Sequence, residues 1–407
     1  MGWGVSGRLK VLRIAVNAAV IVVLLEAGSW LAIKVVSPKL DEPIRRTSDV
    51  FREQTERLTE LLDPRVPTLV TIDSILGWRQ RPGYRSAHYT ISAQGLRGSR
   101  EYPATPPAGV LRASAFGASF VFGSEVDDSS AWPALVEREY PGVEVPNYGV
   151  GGYGVDQAFL DYVEHGEELH PQAVIIGLTP DDLGRVVNVY RRFVSSLEPP
   201  LFKPRFRLAA GGVITRVAAV PPAEVYRQIE RHPRDVLAYG RMDYWYKPAV
   251  YADPLYDYSA TVRLLTAFWT RISRRLVGSD RLYVGSFANP RSEAFRLQVA
   301  FLERFADSVG ARGARPYVVF FPDRDALART TRGLPASYQP FLDTLRAHGL
   351  TPLDAAAAFP KAGPQETARW LMPGGHYSPA GNRLVAVWLG RVLEARRDSL
   401  LAPRARR

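Results

Sequence analysis

The strongest constraint on the fold is an alternation of strand and helix patterns in the middle of the sequence. Strands are predicted at Arg112 to Ala118, Val143 to Val150 and Ala173 to Thr179, and helices at Trp132 to Tyr140 and Val155 to Leu169. Continuous apolar strands joined through helices are typical of a parallel sheet that helices cover on both faces. The sequence therefore predicts an α/β fold of three layers.

The alternation is interrupted by a long insertion, predicted at 186–290, which is rich in Arg, Tyr and Pro. One clear helix pattern lies inside it, at Ala260 to Leu276. Two helices and two strands then follow, at Arg291 to Val309, Pro316 to Pro322, Ala336 to His348 and Thr351 to Asp354. A last helix is predicted to begin at Ser378-Pro379, because Ser is a good cap and Pro suits the first turn.

An apolar stretch near the start of the chain predicts a membrane anchor. Ile14 to Ile33 is about 20 mostly apolar residues, which is enough to cross a bilayer. No small-residue cleavage pattern follows it, so we expect a retained helix rather than a signal peptide. Asn17 and Glu26 interrupt the stretch, and a charged group at membrane depth is costly unless it is paired or near the headgroups. Either Glu26 lies close to the membrane surface, or both residues bind a partner helix.

Composition narrows the classes of partner and cofactor. The net charge of +11 favours anionic surroundings. We expect membrane lipid rather than nucleic acid, since an apolar span is present and no nucleic-acid-binding motif is. Cysteine is absent, which excludes disulfides, thiolate metal sites and a cysteine nucleophile. The sequence carries no phosphate-binding loop, dinucleotide fingerprint or paired-histidine metal motif, so we predict neither cofactor nor metal.

The segment between the anchor and the sheet has its own organisation. A stalk helix is predicted at Ser48 to Leu62, a strand at Thr68 to Trp78, and a Pro-rich hinge at Pro103 to Pro107. The predicted divisions are a basic N-terminus (1–13), a transmembrane helix (14–36), a linker, stalk helix and lead-in segment (37–107), the two parts of the α/β domain (108–185 and 291–398), the insertion (186–290) and a basic tail (399–407).

Four short motifs lie where open α/β sheets place their chemistry, at the carboxyl ends of strands or in the loops beyond them. They are Phe116-Gly117-Ala118-Ser119, Asn147 to Gly154, Gly177 to Asp182, and Gly374-Gly375-His376-Tyr377-Ser378-Pro379. In content and order they resemble the sequence blocks of the SGNH (GDSL-type) hydrolase family. The resemblance covers Pro107 to Leu393 and is interrupted by the insertion.

This resemblance implies a three-layer α/β/α sandwich with a flavodoxin-like parallel sheet, and a serine esterase site. Ser119 would be the nucleophile, His376 the base, and the backbone N–H of Gly152 a donor to the oxyanion. Asp181 stands where the family has an Asn that also donates to the oxyanion. The resemblance further implies a single-pass protein of the cytoplasmic (inner) membrane, with its C-terminal domain on the periplasmic side.

The departures from the family pattern all fall at this site. Ala118 replaces an Asp that normally secures the serine loop. Asp181 would repel an oxyanion instead of donating to it, and losing one such donor costs about 3 kcal/mol of transition-state stabilisation. Pro373 and Gly374 stand where the family has the Asp of its triad, so we expect His376 to lack a carboxylate that orients its ring.

Two functions are therefore open. The first, which we favour from the sequence, is a catalytically degenerate domain that binds or stabilises other membrane-protein subunits through Asn17, Glu26 and the stalk. The alternative is a serine esterase or O-acyl transferase that acts on ester groups of envelope glycans or lipids through a Ser119–His376 dyad.

Overall fold

The computed structural model describes residues 5–40, 42–276 and 281–402. The chain divides into two compact units. The first lies within Met1–Leu62, Tyr190–Pro200 and Glu224–Gly278, and the second within Asp63–Val189, Leu201–Ala223 and Ser279–Arg407. The predicted insertion is thus divided between them. The ends of the predicted basic segments, 1–4 and 403–407, lie outside the described residues.

The secondary structure is mostly helical. The helices are α1 (Val5–Val36), α2 (Thr47–Leu62), α3 (Ser119–Phe122), α4 (Trp132–Glu139), α5 (Val155–His165), α6 (Asp182–Arg185), α7 (Arg191–Val194), α8 (Ala223–Arg231), α9 (Pro248–Tyr251), α10 (Ala260–Leu276), α11 (Glu293–Ala311), α12 (Arg324–Thr330), α13 (Gln339–Ala347), α14 (Pro364–Arg369), α15 (Pro379–Glu394) and α16 (Arg397–Leu401). The strands are β1 (Val70–Asp73), β2 (Gly77–Gln80), β3 (Leu111–Gly117), β4 (Val143–Glu144), β5 (Ala173–Leu178), β6 (Arg205–Leu208), β7 (Ile214–Ala218), β8 (Tyr283–Val284), β9 (Phe287–Ala288), β10 (Arg315–Phe320) and β11 (Leu353–Asp354).

Five parallel strands form the sheet of the second unit, in the order β4-β3-β5-β10-β11. Counted along the chain, this is the order 2-1-3-4-5, the flavodoxin-like arrangement of a doubly wound sheet. In such a sheet, ligands bind beyond the carboxyl ends of the strands, where the strand order reverses. The reversal falls between β3 and β5, so β3 is the strand whose carboxyl end should carry the site.

Helices cover the sheet on both faces. On one face, Ala115 of β3 and Ile175 of β5 lie in a buried cluster with Trp132 of α4 and Leu389 of α15. On the other face, the ring centroid of Phe116 lies 5.7 Å from that of Tyr162 in α5. The predicted three-layer α/β/α sandwich with a parallel sheet is confirmed.

Several predicted elements are shorter than expected, and the single strand predicted at Thr68 to Trp78 is the antiparallel pair β1 and β2. The predicted strand Val143 to Val150 is β4 only as far as Glu144, because Pro146 has no N–H for a ladder bond. The chain stays near β3, since Tyr148 N–H donates to the Ala115 carbonyl at 2.9 Å. The helix predicted to reach Leu169 ends at His165, before Gly166.

The first unit contains the predicted anchor and stalk. α1 is 32 residues long, and its mean hydropathy reaches 2.1, so it is long and apolar enough to span a membrane. α2 confirms the stalk helix, and the carboxylate of Asp257 accepts a 2.6 Å hydrogen bond from the N–H of Thr47 at its start. Glu26 finds hydrogen-bond donors within the chain, because its carboxylate accepts from Ala260 N–H at 2.7 Å and from the Ser259 hydroxyl.

Candidate active site

The end of β3 turns sharply into a short helix that begins with Ser119. Gly117 has a φ of 154°, and a Cβ there would lie 2.6 Å from the carbonyl oxygen of Gly177. Only glycine therefore fits this position without displacing β5. Ala118 occupies the N-cap position of α3 without a side-chain cap, and Ser119 is 7% exposed at the carboxyl end of the sheet.

His376 lies beside this turn. The centroid of its ring is 5.2 Å from the ring of Phe120, the residue that follows Ser119. Within the part of the chain that the structure describes, Ser119 makes no side-chain hydrogen bond. Catalytic hydrogen bonds are often long before substrate binds, so this geometry is compatible with a base that approaches the hydroxyl on binding.

A carboxylate that the sequence did not indicate holds His376. The side chain of Glu125 contacts His376 Nδ1 with Oε2, at 2.7 Å. The same carboxylate accepts the backbone N–H of Gly374 at 2.8 Å and that of His376 at 3.2 Å. Burial by itself raises the pKa of Glu125, but these hydrogen bonds outweigh it and keep the pKa below its ordinary value. The group is therefore an ionised acceptor at neutral pH.

The expectation that His376 lacks an orienting carboxylate is wrong. The carboxylate comes from the loop that follows α3 instead of from the residues just before His376. Gly374 leaves room for it, because a Cβ at that position would lie 2.6 Å from the carboxylate oxygens of Glu125. The absence of the family's Asp thus does not leave the imidazole unsupported.

Glu125 is held in an unusual backbone conformation. Its φ is 67°, and among the described non-glycine residues only His170 shares this left-handed region. Such a conformation costs about 1–3 kcal/mol and persists where surrounding contacts enforce it. One of these contacts is the hydrogen bond from Glu125 N–H to the hydroxyl of Tyr89, at 3.0 Å.

Arg97 fastens the loop on both sides of Glu125. Its guanidinium donates to the carbonyls of Phe122, Gly123 and Val126 at 3.1, 3.2 and 2.8 Å. It also pairs with Asp128 at 2.6 Å, and its own side chain is 2% exposed. Because Arg97 and Tyr89 both belong to the predicted lead-in segment, this segment forms part of the site's support.

A histidine–carboxylate pair is not by itself a functional signal in this chain. Three other histidines contact carboxylates through Nδ1, in the pairs His88–Asp127, His165–Asp161 and His348–Glu303. What distinguishes the His376–Glu125 pair is its place beside the turn that carries Ser119, at the strand end where the sheet order reverses. Its position, rather than its chemistry alone, makes it a candidate catalytic pair.

Gly152 lies in the tight turn of the second motif. Its φ of 82° favours glycine, and its N–H makes no hydrogen bond to another described residue. The neighbouring backbone is anchored by β2, since Trp78 Nε1 donates to the Gly151 carbonyl at 3.1 Å and Gln80 Nε2 to that of Gly149 at 3.0 Å. A rigid loop with a free N–H is what an oxyanion donor requires.

Asp181 lies at the solvent-facing edge of the third motif. Its side chain is 69% exposed and lies 3.4 Å from Arg185. Thr179, like the other residues of this motif apart from Asp181, is buried. The strand register pairs Gly117 with Gly177, so Ser119 and Thr179 each lie two residues beyond this pair. The predicted role of Asp181 at the oxyanion stays a prediction, and Thr179 is the neighbour that the sequence did not suggest.

Asp182 anchors Thr179 and leads to a prediction about pH. Its buried carboxylate accepts the N–H of Thr179 at 2.6 Å, and burial raises its pKa to about 6. The folded chain then holds a proton that the unfolded chain has released between roughly pH 4 and pH 6, so this group's contribution to stability falls as the pH rises through that window. As the pH rises through this window, the free energy of unfolding of Asp182→Asn should therefore fall by about 2–3 kcal/mol less than that of wild type. Thermal unfolding in detergent at pH 4 and pH 7 measures the difference, and equal pH slopes would contradict it.

Ala118 has no polar side chain with which to secure the serine loop, whereas the family pattern has an Asp at this position. Asn147 secures the loop from the second motif, where its amide donates to the carbonyls of Val121 and Phe122 at 3.0 and 3.3 Å. Its amide oxygen accepts the N–H of Gly149 at 2.9 Å. One side chain therefore links the serine helix to the loop that carries Gly152.

The described residues contain no group of three or more His, Cys, Asp and Glu side chains placed to hold a metal ion. The groups that the site offers are a serine hydroxyl, an imidazole, a carboxylate and backbone N–H groups. This set suits acyl transfer through a covalent intermediate.

Comparisons with known proteins find similarity only at the level of structure. No protein family and no curated protein matches the sequence. Solved structures that match include a lipolytic protein assigned to the G-D-S-L family from Desulfitobacterium hafniense, with 13% identity and a TM-score of 0.34 over 70% of this chain and 99% of that chain. A lipase/acylhydrolase from Enterococcus faecalis matches with 14% identity and a TM-score of 0.33 over 70% of this chain and 97% of that chain.

A GDSL-like lipase from Bacteroides thetaiotaomicron also matches, with 10% identity and a TM-score of 0.33 over 71% of this chain and 91% of that chain. These solved structures carry the names of GDSL-type lipases and acylhydrolases, and the chain is similar to them in fold.

Proposed function

We propose that this chain is a membrane-anchored serine acyl hydrolase or acyl transferase whose catalytic residues are Ser119, His376 and Glu125. The observation that carries the proposal is the 2.7 Å contact between Glu125 and His376 Nδ1 beside the serine turn. It favours the catalytic alternative over a degenerate domain, because the degenerate interpretation depended on an imidazole without an orienting group.

In the proposed reaction, the hydroxyl of Ser119 attacks the carbonyl carbon of an acyl ester. Glu125 accepts a hydrogen bond from the N–H at His376 Nδ1, which keeps the proton on Nδ1 and leaves Nε2 free to take the proton from Ser119. The tetrahedral intermediate collapses when His376 returns this proton to the leaving alkoxide. Water or a second alcohol then attacks the acyl-serine, and the products are the acid or a new ester.

The negative oxygen of the intermediate needs donors that are already in place. The N–H of Gly152 supplies one of them in this proposal, since the loop that carries it is fixed by β2 and Asn147. Each such donor contributes about 3–4 kcal/mol of transition-state stabilisation. Asp181 is exposed and paired with Arg185, so it imposes less repulsion on the oxyanion than its sequence position suggests.

The membrane anchor restricts where this chemistry takes place. We propose that α1 crosses the cytoplasmic membrane once and that the α/β unit lies on its periplasmic side. The substrates within reach are then acyl esters at the membrane surface, on envelope glycans or lipids. The high positive charge suits such an anionic surface.

Turnover of an activated acyl ester by the full chain in detergent tests the proposal. Wild type should release the alcohol with saturation kinetics, and Ser119→Ala should reduce the rate to background. Another buried serine, Ser292, caps α11 and provides the control. Ser292→Ala should retain the wild-type rate in the fraction that remains folded. Equal turnover by wild type and Ser119→Ala would overturn the proposal and leave a binding or stabilising subunit as the better interpretation.

A further inference from the structure

Helix α10 belongs to the first unit and presents an apolar face away from the rest of that unit. Four large side chains on it are between 42% and 64% exposed. Their spacing of three and four residues places them on one side of the helix. They are Leu265, Phe268, Trp269 and Ile272.

The opposite face of α10 is polar and turned inward. Arg263 is buried, and its guanidinium donates to the carbonyls of Tyr256 and Asp257 at 2.9 and 2.8 Å. Thr270 and Ala267 line a small cavity of the same unit together with Pro43. An amphipathic helix at the surface of a water-soluble domain has the reverse arrangement, with its apolar side buried. The inverted polarity indicates that the outer face of α10 has an apolar environment.

α10 is also joined directly to the predicted membrane helix. Glu26, inside the apolar stretch of α1, accepts hydrogen bonds from the N–H groups of Ala260 and Thr261 at 2.7 and 3.4 Å. One turn farther along α1, the hydroxyl of Ser29 accepts a 3.1 Å hydrogen bond from that of Thr261. A carboxylate at the start of a helix satisfies free N–H groups and the positive end of the helix dipole. The start of α10 is thus fixed at the depth of Glu26.

We propose that α10 is a second membrane-contacting helix, whose outer face lies against the lipid bilayer that α1 enters. The proposal rests on the membrane anchoring given under the proposed function. It identifies Glu26 as the joint between the two helices, which explains why an acidic residue interrupts the apolar stretch.

Two features favour lipid over a protein partner as the occupant of this face. No residue in the apolar window of α1 is buried, so the outer face of α10 continues a surface that a bilayer already has to cover. The side chains of both helices are also those found at membrane surfaces, where Trp, Lys and Arg are enriched. Trp30 of α1 lies under the ammonium of Lys34 at 4.0 Å, and α10 carries Trp269 and an exposed Arg271.

Site-directed spin labelling tests this proposal, and the absence of cysteine makes every introduced cysteine unique. The full chain would be reconstituted into vesicles of phosphatidylcholine and phosphatidylglycerol. Phe268→Cys and Ile272→Cys report on α10, Val22→Cys reports on the anchor, and Leu197→Cys is a control on an exposed apolar residue of the same unit. Accessibility to oxygen, which concentrates in lipid, is compared with accessibility to a water-soluble nickel chelate.

Labels at positions 268 and 272 should resemble the label at 22, with oxygen accessibility several-fold higher relative to nickel than at 197. If the label at 22 is in lipid but those at 268 and 272 are in water, α10 does not contact the membrane, although the anchor stands. If the labels on α10 are protected from both reagents, a protein covers the face and the proposal is overturned. If the label at 22 is also in water, the anchoring itself is wrong.

Discussion

Replacing Glu125 with Gln is expected to lower kcat/KM for an activated acyl ester by about 10²–10⁴-fold, since the equivalent Asp→Asn change in a serine protease costs about 10⁴-fold. A carboxylate only accepts hydrogen bonds, so it selects the tautomer of His376 that carries its proton on Nδ1. An amide can donate to Nδ1 instead, which moves the proton to Nε2 and removes the base from Ser119. The carboxylate also stabilises the imidazolium that forms during attack, whereas a neutral amide does not.

The measurement is steady-state turnover by the purified full chain, with the melting temperature recorded for each variant. Glu303→Gln is the matched control, because Glu303 makes the same kind of contact to His348 Nδ1 in an exposed pair, and it should leave kcat/KM unchanged. If Glu125→Gln keeps the wild-type kcat/KM while Ser119→Ala is inactive, Glu125 has no part in catalysis and a Ser119–His376 dyad is the better description.

Arg97→Met is expected to lower the free energy of unfolding by about 3 kcal/mol or more, because it leaves buried acceptors without donors. Three carbonyls and the carboxylate of Asp128 each lose one donor at once. Asn147 still donates to the Phe122 carbonyl and Thr90 N–H to Asp128, so the carbonyls of Gly123 and Val126 lose most. The guanidinium also lies over the rings of Tyr89 and Phe122, at 4.4 and 4.2 Å. Methionine fills part of the space but replaces none of the hydrogen bonds.

The same change should also release the loop that holds Glu125. We therefore expect Arg97→Met to lower kcat at temperatures well below its melting point, with KM little changed. Arg138→Met is the control, since Arg138 is an exposed residue with a weak pair at 3.7 Å, and such surface pairs contribute about 0–1 kcal/mol. A melting temperature that falls while kcat stays at the wild-type value would show that Arg97 stabilises the fold without positioning Glu125.

Most of the fold could be predicted from the sequence because its elements have clear local signals. The helix predicted at Ala260 to Leu276 is α10 with the same ends, and Ser378 caps α15 as its sequence indicates. The order of the strands could be predicted from the alternation of strands and helices together with the resemblance to the SGNH hydrolase family. Where the prediction failed, as at β4, a proline changed the hydrogen bonding without disturbing the apolar pattern.

The site was less predictable because its key contact is not local. Glu125 and His376 are 251 residues apart, and no spacing rule connects a glutamate in that loop with a distant histidine. The prediction instead looked for an acid just before His376. The loop that follows α3 was a better indication of the acid. Because α3 is short and begins at the carboxyl end of β3, an acidic residue just after it, such as Glu125, stays close to that end of the strand. Glu26 presents the same difficulty, because its donors are more than 200 residues away.

The most direct test of catalysis at this site is covalent labelling with a fluorophosphonate, which reacts only with an activated serine hydroxyl. Full-length wild type should gain one adduct per chain, located on Ser119 by mass spectrometry, and Glu125→Gln should be labelled much more slowly. Ser119→Ala should gain none. A wild-type chain that is folded, turns over no ester and takes up no probe would contradict the catalytic role of Ser119.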